Sequence, residues 1–385
     1  MTGPLDQPRP SRGRHLLIDA LNLARGGGVV VMSRLALAFA SAGYRVTVLA
    51  ARDLPETGLA GSSVDTLVVP AARGALRATL YRRFRLNARA HDLGADAVLG
   101  FNYHSQVALP QATYHINVIP FLKLAARASA IGYPRAMMQG LAARAALRRS
   151  TANMFESDYI RSLAARGGIL IRNPVVAHIG AEFVDQAPGS TGQRLKGPFL
   201  TVTSGARHKR NDLTLAFFRG ILAEEPDAKL GIIGDTDAIR ASLSPEDRDF
   251  VDATSSVTFH GYVGRGDLYA LLAKAKALIV FSELESFFMV AIEAMSVGCP
   301  VIAADNSSIR ESVGAAGLLV PAGDVDAAVL AARGLDTAEA FARHEKAGRD
   351  WASAFDANRC ARDFVAAFER KIWPETGTQD RQKGP

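Results

Sequence analysis

Two doubly wound α/β domains joined by one linker are what this sequence predicts, and three observations carry the prediction. The chain has 385 residues, enough for two domains that each bury a core. Short β-branched and apolar runs alternate with helix-period segments, the pattern of a parallel sheet wound with helices. Around Asp185 the texture changes to Gln-Ala-Pro-Gly-Ser-Thr-Gly-Gln, a polar linker, and the alternation then starts afresh. The domains are accordingly expected at 14–187 and 188–357, after a Pro/Arg-rich tail at 1–13 read as disordered. A C-terminal helix at about 358–372 is expected to pack back on the first domain.

The elements follow in order. His15–Asp19 reads as a strand, then a loop runs through Arg25-Gly26-Gly27-Gly28. Residues 29–42 have helical periodicity, and Gly43 ends them as a helix C′ glycine should. Arg45–Ala50 is a second strand, with further short strands at 66–69, 97–100, 112–115 and 153–156. The segment ALRATLYRRFRLNARA, starting at Ala75, reads as one helix. After the linker, strands are expected at 199–203, 229–234, 257–260, 277–281, 300–303 and 317–320. Helices fall between them at 211–224 and 287–297, and the chain closes on a helix at 358–371.

Composition excludes several classes. With 48% hydrophobic and 22% charged residues the chain is neither disordered nor fibrous. Two cysteines, Cys299 and Cys360, make no disulfide framework or four-ligand zinc site by themselves, and a reducing compartment is the simpler reading. No apolar h-region opens the chain, so no secretory signal is expected. Residues 97–122 carry no charge, but Asn102, His104, Gln106, Pro110, His115, Asn117 and Pro120 rule out a membrane span.

Charge is unevenly spread, with a net +11 in residues 1–190 and −4 in the remainder. Lys123 is the only lysine of the basic half. Its densest run is Arg73, Arg77, Arg82, Arg83, Arg85 and Arg89. A second, Arg144, Arg148 and Arg149, follows the apolar Met137, Met138 and Leu141. Such stretches suit an anionic membrane surface, a phosphate-bearing acceptor or nucleic acid, or are simply a solvated face. Nucleic acid ranks last, because no recognised motif accompanies the charge.

In doubly wound sheets ligands bind beyond the carboxyl ends of the strands, so the loops there hold the candidates. Gly26, Gly27 and Gly28 would let backbone N–H groups approach an anion at a helix N-terminus, though a triple glycine is often only a tight turn. Ser204 to Asn211 contains Arg207, Lys209 and Arg210, cations suited to a pyrophosphate, or else a solvated basic turn. His115 ends a strand, and is either a ligand-facing or a satisfied structural histidine. Glu285 and Glu293 stand eight apart, but 14 Glu in 385 residues give about 0.5 such pairs by chance under average usage. Context is what informs: Glu285 follows the strand at 277–281, and Glu293 lies two turns into the expected helix. Asp235-Thr236-Asp237 has a metal-motif spacing but reads as a turn.

The run SELESFFMVAIEAMSVGCPVIAADNSSIRESVGAAGLLVPAGD resembles the donor-binding region of group 1 (GT4-type) retaining glycosyltransferases. The matching positions include Ser282, Glu285, Phe287, Glu293, Ala294, Met295, Gly298, Pro300, Val301, Ser307, Ser308, Glu311, Leu319, Val320 and Asp324. The likeness is strong over 199–330 and diffuse over 14–185. It implies the GT-B architecture, two Rossmann-like α/β domains facing across a cleft. It further implies transfer of a sugar from a nucleotide-diphosphate sugar, a co-substrate, to a saccharide or lipid-linked saccharide acceptor, with retention and no metal. Surface polysaccharide or glycolipid synthesis would be the setting. The protein would be cytoplasmic, peripheral on the inner face of the membrane where its anionic surface meets the basic domain, and would bind no nucleic acid. The resemblance assigns Glu285 to the donor sugar, Glu293 to the ribose hydroxyls, and Arg207, Lys209 and Arg210 to the diphosphate. Gly26–Gly28 would lie against the phosphates or acceptor, and His115 would reach the donor sugar or acceptor hydroxyl. Where the family has Gly-Phe-Gly this chain has Ser286-Phe287-Phe288, which requires Phe288 to turn away from the donor. The rival expectations are a GT-B sugar-nucleotide epimerase or phosphorylase, and a non-catalytic GT-B partner subunit.

Overall fold

The computed structural model describes residues 13–23, 27–54, 57–122, 133–183 and 189–374. Its contacts divide the chain into two units. The first comprises Met1–Glu156, Ile160–Ile179 and Asn358–Pro385, and the second Ser157–Tyr159 and Gly180–Ala357. The boundary therefore falls at Gly180, ahead of the composition change near Asp185. There the Ala181 N–H donates to the Phe355 carbonyl at 2.9 Å, and the Ala357 N–H donates back to Ala181 at 2.9 Å. The approach is so close that a Cβ on Gly180 would sit 2.0 Å from the Phe355 oxygen.

In the first unit the chain runs β1 (His15–Asp19), α1 (Gly27–Ser41), β2 (Arg45–Ala50) and β3 (Val64–Val68). Helices α2 (Ala75–Phe84) and α3 (Leu86–Asp92) precede β4 (Ala97–Phe101) and β5 (Gln111–His115). Then come α4 (Tyr133–Arg149), β6 (Ala152–Phe155), α5 (Asp158–Arg166) and β7 (Pro174–Val176). The seven parallel strands are ordered β3-β2-β1-β4-β5-β6-β7. Leu16, Leu17 and Ile18 of β1 are fully buried, as a central parallel strand covered on both faces requires.

The second unit opens with α6 (Thr191–Leu195), β8 (Phe199–Val202), α7 (Asn211–Leu222) and β9 (Leu230–Ile233). It continues through α8 (Thr236–Ser242), α9 (Pro245–Ala253), β10 (Val257–Gly261), α10 (Arg265–Leu272) and β11 (Ala277–Val280). Next are α11 (Met289–Ser296), β12 (Val301–Ala304), α12 (Ile309–Val313) and β13 (Leu318–Val320). The chain closes on α13 (Val325–Arg333), α14 (Ala338–Ala352) and α15 (Ala357–Ile372). The six strands are ordered β10-β9-β8-β11-β12-β13. Both sheets are thus doubly wound, and in each the order reverses beside the first strand, between β1 and β4 and between β8 and β11. These switch points open a crevice at the carboxyl edge of the strands.

Helix α15 packs within the first unit through aromatic edges. Phe364 meets Tyr114 at 4.9 Å between centroids, and Phe368 meets Phe39 at 4.9 Å. The Tyr44 hydroxyl donates to Glu369 at 2.8 Å.

Two local expectations are corrected. The arginine-rich segment is two helices rather than one, because Arg85 leaves helical geometry at φ −125°, ψ −31°. Arg82, read with the rest of its run as an exposed charge facing a partner or solvent, is 4% exposed. Its Nε and Nη2 donate to the two oxygens of Asp19 at 2.6 and 2.8 Å. Asp19 ends β1, and Ser105 donates a further hydrogen bond to it at 2.7 Å. Burial favours the neutral acid, but Arg82 and these donors outweigh it and hold the Asp19 carboxyl below its ordinary range.

Candidate functional site

The second unit's switch point is built from two loops that bind one another. After β8 the chain turns through a 3-10 turn at Arg207–Lys209, and Arg210, at φ 51°, leads into α7. After β11 come Ser282 to Phe288. The Glu283 N–H donates to the His208 carbonyl at 2.7 Å. Lys209 Nζ donates to Glu285 Oε1 at 2.6 Å, with both side chains less than a fifth exposed. Arg210 donates to Glu283 at 2.6 Å and to Asp212 at 2.8 Å. Its hydrogen bonds to Asp212 and Glu283 outweigh slight burial and push the Arg210 guanidinium further towards its charged form. Arg207 is exposed and forms no ion pair among the described residues. The three expected cations are therefore brought together but are not equivalent. Arg207 keeps an open charge, Lys209 shares its charge with Glu285, and Arg210 is committed to two carboxylates.

Glu285 is fixed by its backbone. Its N–H donates to the Ser307 hydroxyl at 3.2 Å, and its carbonyl accepts from the Ser308 hydroxyl at 3.0 Å. Helix α11 starts at Met289, so Glu293 lies one turn inside it rather than two. Glu293 is 7% exposed and accepts from Arg265 Nη2 at 2.9 Å. Arg265 also donates to Glu182 at 3.0 Å. Phe287 and Phe288, 6% and 5% exposed, belong to the hydrophobic core with Val280 and Ile292. The Phe288 ring is thus turned inward, which leaves half-buried Ser286 at the loop surface. Lys209 Nζ lies 5.6 Å from the Phe288 ring centroid, within cation–π range. Asp235 does not offer a free carboxylate: it caps α8, accepting from the Ala238 N–H at 3.0 Å.

The first unit holds the other candidates. Gly27 and Gly28 are the first residues of α1 and not part of a loop, while Gly26 lies outside the described residues. A Cβ on Gly27 would meet nothing within 4 Å, whereas one on Gly28 would crowd Leu23 and Ile116 at 3.2 and 3.3 Å. His115, read from the sequence as either a ligand-facing or a satisfied structural histidine, is fully buried. Its ring stacks on Phe155 at 4.9 Å and meets Phe121 edge-on at 5.4 Å. Its Nε2 lies 3.0 Å from Asn153 Oδ1, and the Asn153 amide donates to the Leu147 and Arg172 carbonyls. That fixes Oδ1 as an acceptor and places the ring proton on Nε2. Nδ1 has no hydrogen-bond partner among the described residues. Burial, only partly offset by Asn153, lowers the His115 pKa to about 4, so the ring is neutral near pH 7.

A cavity of about 1030 Å³ opens at the carboxyl edge of this sheet. Asn22 follows β1, Arg52 follows β2, Asn102 and His104 follow β4, Asn117 follows β5, and Arg149 ends α4. Reading the sequence missed the cavity, because its polar residues come from six separate segments, α2 among them, with no shared spacing. Arg265 was missed too, although it lies within the 199–330 stretch over which the resemblance is strong.

Residues 198–336 match the family described as Glycosyl transferases group 1. Over 71 residues the chain is 41% identical to O-antigen chain mannosyltransferase B of Escherichia coli, a match spanning 18% of this chain and 19% of that protein. Among solved structures, sucrose-phosphate synthase from Thermosynechococcus elongatus aligns with a TM-score of 0.74 at 18% identity, covering 93% of this chain and 98% of that one. HepE from Anabaena, solved in complex with UDP-glucose, aligns at 0.72 and 15% identity, over 92% and 99% of the two chains. WaaG, a glycosyltransferase involved in lipopolysaccharide biosynthesis, aligns at 0.72 and 18%, over 92% and 98%. Residues 198–336, which carry the Lys209–Glu285 pair and Glu293, thus match the group 1 glycosyltransferase model, in a chain whose fold is the two-domain GT-B fold of these solved structures.

Proposed function

We propose that the protein is a retaining glycosyltransferase that moves a sugar from a nucleotide-diphosphate sugar to a saccharide or lipid-linked saccharide acceptor. The observation that carries this reading is the junction of the loops after β8 and β11, where Lys209 and Glu285 meet at 2.6 Å beside the open charge of Arg207. The diphosphate is the leaving group, and cations placed where its charge develops lower the barrier to breaking the glycosidic bond. Arg207 and Lys209 supply that charge. Arg210, held by Glu283 and Asp212, braces the two loops. Glu285 faces the sugar, and buried Glu293, positioned by Arg265, accepts from the ribose hydroxyls. His115, neutral and interior, supports β5 and β6 from within.

Retention is supported by the resemblance of the 282–324 segment, and a nucleotide-sugar donor by the UDP-glucose complex of HepE. The O-antigen and lipopolysaccharide names of the relatives favour surface polysaccharide or glycolipid synthesis. Independence from metal is proposed because cations already stand at the diphosphate position and Asp235 serves as a helix cap. Membrane contact is proposed for the exposed face of α2, where Leu76, Leu80 and Phe84 are 71%, 48% and 71% exposed beside exposed Arg77 and Arg83. None of the described helices is long and apolar enough to cross a membrane.

A thermal-shift screen over UDP-, GDP-, ADP- and dTDP-sugars tests donor binding. A ligand at 100 times its Kd adds about 2.7 kcal/mol to stability. Nucleoside-diphosphate release that depends on an added acceptor then establishes transfer. A chain that binds none of these donors overturns the reading.

A further inference from the structure

The cavity of the first unit has a composition that the donor chemistry does not explain. Its volume, about 1030 Å³, is at the upper end of the roughly 300–1,000 Å³ typical of small-molecule sites. Its lining includes Arg52, Arg82 and Arg149 and, among the described residues, no Asp or Glu. Arg82 is spoken for by Asp19. Arg52 and Arg149 form no ion pair among the described residues. The N-terminus of α2, ten residues long, lies in the same wall through Gly74 and Ala75, with no side-chain cap and no acidic residue in its first turn. Two open guanidinium groups and the positive end of a helix thus share one concave surface.

The loop after β4 adds a second observation. Asn102 and Gln106, both in the cavity lining, hold φ of 62° and 58°. A non-glycine residue in that region is strained and persists where its surroundings impose it. Here they do. Asn102 Oδ1 accepts from the Ile116 N–H at 2.9 Å, and His104 Nδ1 accepts from the Gln106 N–H at 2.9 Å. With Nδ1 occupied as an acceptor, the neutral His104 ring carries its proton on Nε2. Burial, and then the charge of Arg149, lower its pKa and keep the ring neutral. At Nε2 it is a donor with no free lone pair, so it can hydrogen-bond an oxygen but cannot take a proton there.

We infer that this cavity binds a saccharide bearing an anionic group, phosphate or carboxylate, whose oxygens pair with Arg52 and Arg149 while its hydroxyls meet Asn22, Asn102 and Asn117. His104 donates to a further oxygen of the same ligand. That the saccharide is the sugar acceptor rests on the transferase reading, but the anion site itself is testable without turnover. Leu76 and Met138, 71% and 66% exposed in the lining, give an apolar margin past which a lipid portion can leave.

The test uses the full chain with ¹⁵N-labelled arginine, and follows the side-chain Nε–H resonances, assigned with Arg52→Gln and Arg149→Gln. The probes are glucose 1-phosphate, glucuronate and glucose. The Arg52 and Arg149 signals should move with the anionic sugars, saturating at a concentration at least tenfold below that of glucose. The response should weaken at least tenfold in either Gln variant, and less in Arg52→Lys, which keeps the charge but loses the fork. Response to glucose 1-phosphate but not glucuronate assigns the anion as phosphate, and the reverse as carboxylate. Equal response to glucose and to the anions overturns the inference. So does movement confined to Arg207 and Arg210, which would place the anion in the second unit. Nucleotide-sugar thermal shifts, measured alongside, should be unchanged in Arg52→Gln. Their absence in the wild type would count against the transferase reading while the arginine response stood.

Discussion

Glu285 and Glu293 differ in what holds them, and their variants should differ accordingly. Glu285 sits in a loop opposite Lys209, whereas Glu293 is interior and paired with Arg265. Glu293→Ala should weaken nucleotide-sugar binding by about 1.5–3 kcal/mol, the value of a hydrogen bond to a charged group. Glu285→Ala should chiefly lower kcat, since it also frees Lys209 from its fixed position. Calorimetry for binding and initial rates for turnover separate the two, and indistinguishable effects would refute the division of roles. His115 makes a prediction of a different kind. Its pKa of about 4 when folded lies below the 6.5 of a free histidine, so on acidification the unfolded chain takes up the proton first. The stability it confers is complete above about pH 6.5 and declines as pH falls towards 4, by about 3 kcal/mol in all. His115→Phe leaves Asn153 Oδ1 without its donor and should be less stable at pH 7 by about 1–3 kcal/mol. Because only the wild type loses the titration term, that deficit should shrink between pH 7 and pH 5 in urea unfolding.

At the scale of elements, α2 has two faces with opposite duties. Inward, Arg82 clamps the helix to the end of β1 through Asp19, and Ala78 packs beside it. Arg82→Gln strands a buried carboxylate and should cost about 3–5 kcal/mol by denaturant unfolding. Arg83→Gln and Arg85→Gln, at exposed positions, should stay within about 0.5 kcal/mol. Outward, Leu76, Leu80 and Phe84 recur every four residues on one exposed stripe. If that stripe meets an anionic membrane, the protein should sediment with anionic vesicles at low salt and be released at high salt. The attraction contributes about 1 kcal/mol per arginine near the surface and decays within a Debye length. Leu80→Ser with Phe84→Ser should abolish sedimentation and leave donor binding intact. Indifference of the wild type to such vesicles would make the stripe an ordinary solvated surface. Arg82 must be left out of any charge-removal series, because its loss would be read as membrane release when it is unfolding.

At the scale of the whole molecule, the +11 and −4 halves of the sequence divide in the same order as the two doubly wound sheets. If Arg207 and Lys209 carry the diphosphate, turnover should survive excess EDTA. Loss of activity on chelation, restored by Mn²⁺ or Mg²⁺, would reassign the leaving-group charge to a metal. Much of this molecule was legible in the chain itself. Periodicity alone placed β1 and β2 at their observed bounds, because central parallel strands are continuous apolar runs between polar turns. The motif from Ser282 to Asp324 located the second unit's site, and the structure shows why so many of its positions recur together. Ser307 and Ser308 hold the backbone of Glu285, Gly298 takes φ +76° after α11, and Asp324 caps α13. What a local pattern cannot contain is pairing between distant segments. Arg82 looked like one more surface arginine until Asp19, 63 residues away, drew it inside. His115 looked like a strand-end ligand until Asn153 and Phe155 enclosed it. The cavity of the first unit exists only where six strand-end and helical segments converge. Sequence thus determined the strands, the linker's neighbourhood and the candidate loops after β8 and β11, each written in contiguous residues. Tertiary structure decided which charges are spent on each other and which stay open to a ligand, because burial and ion pairing depend on residues that meet only after folding.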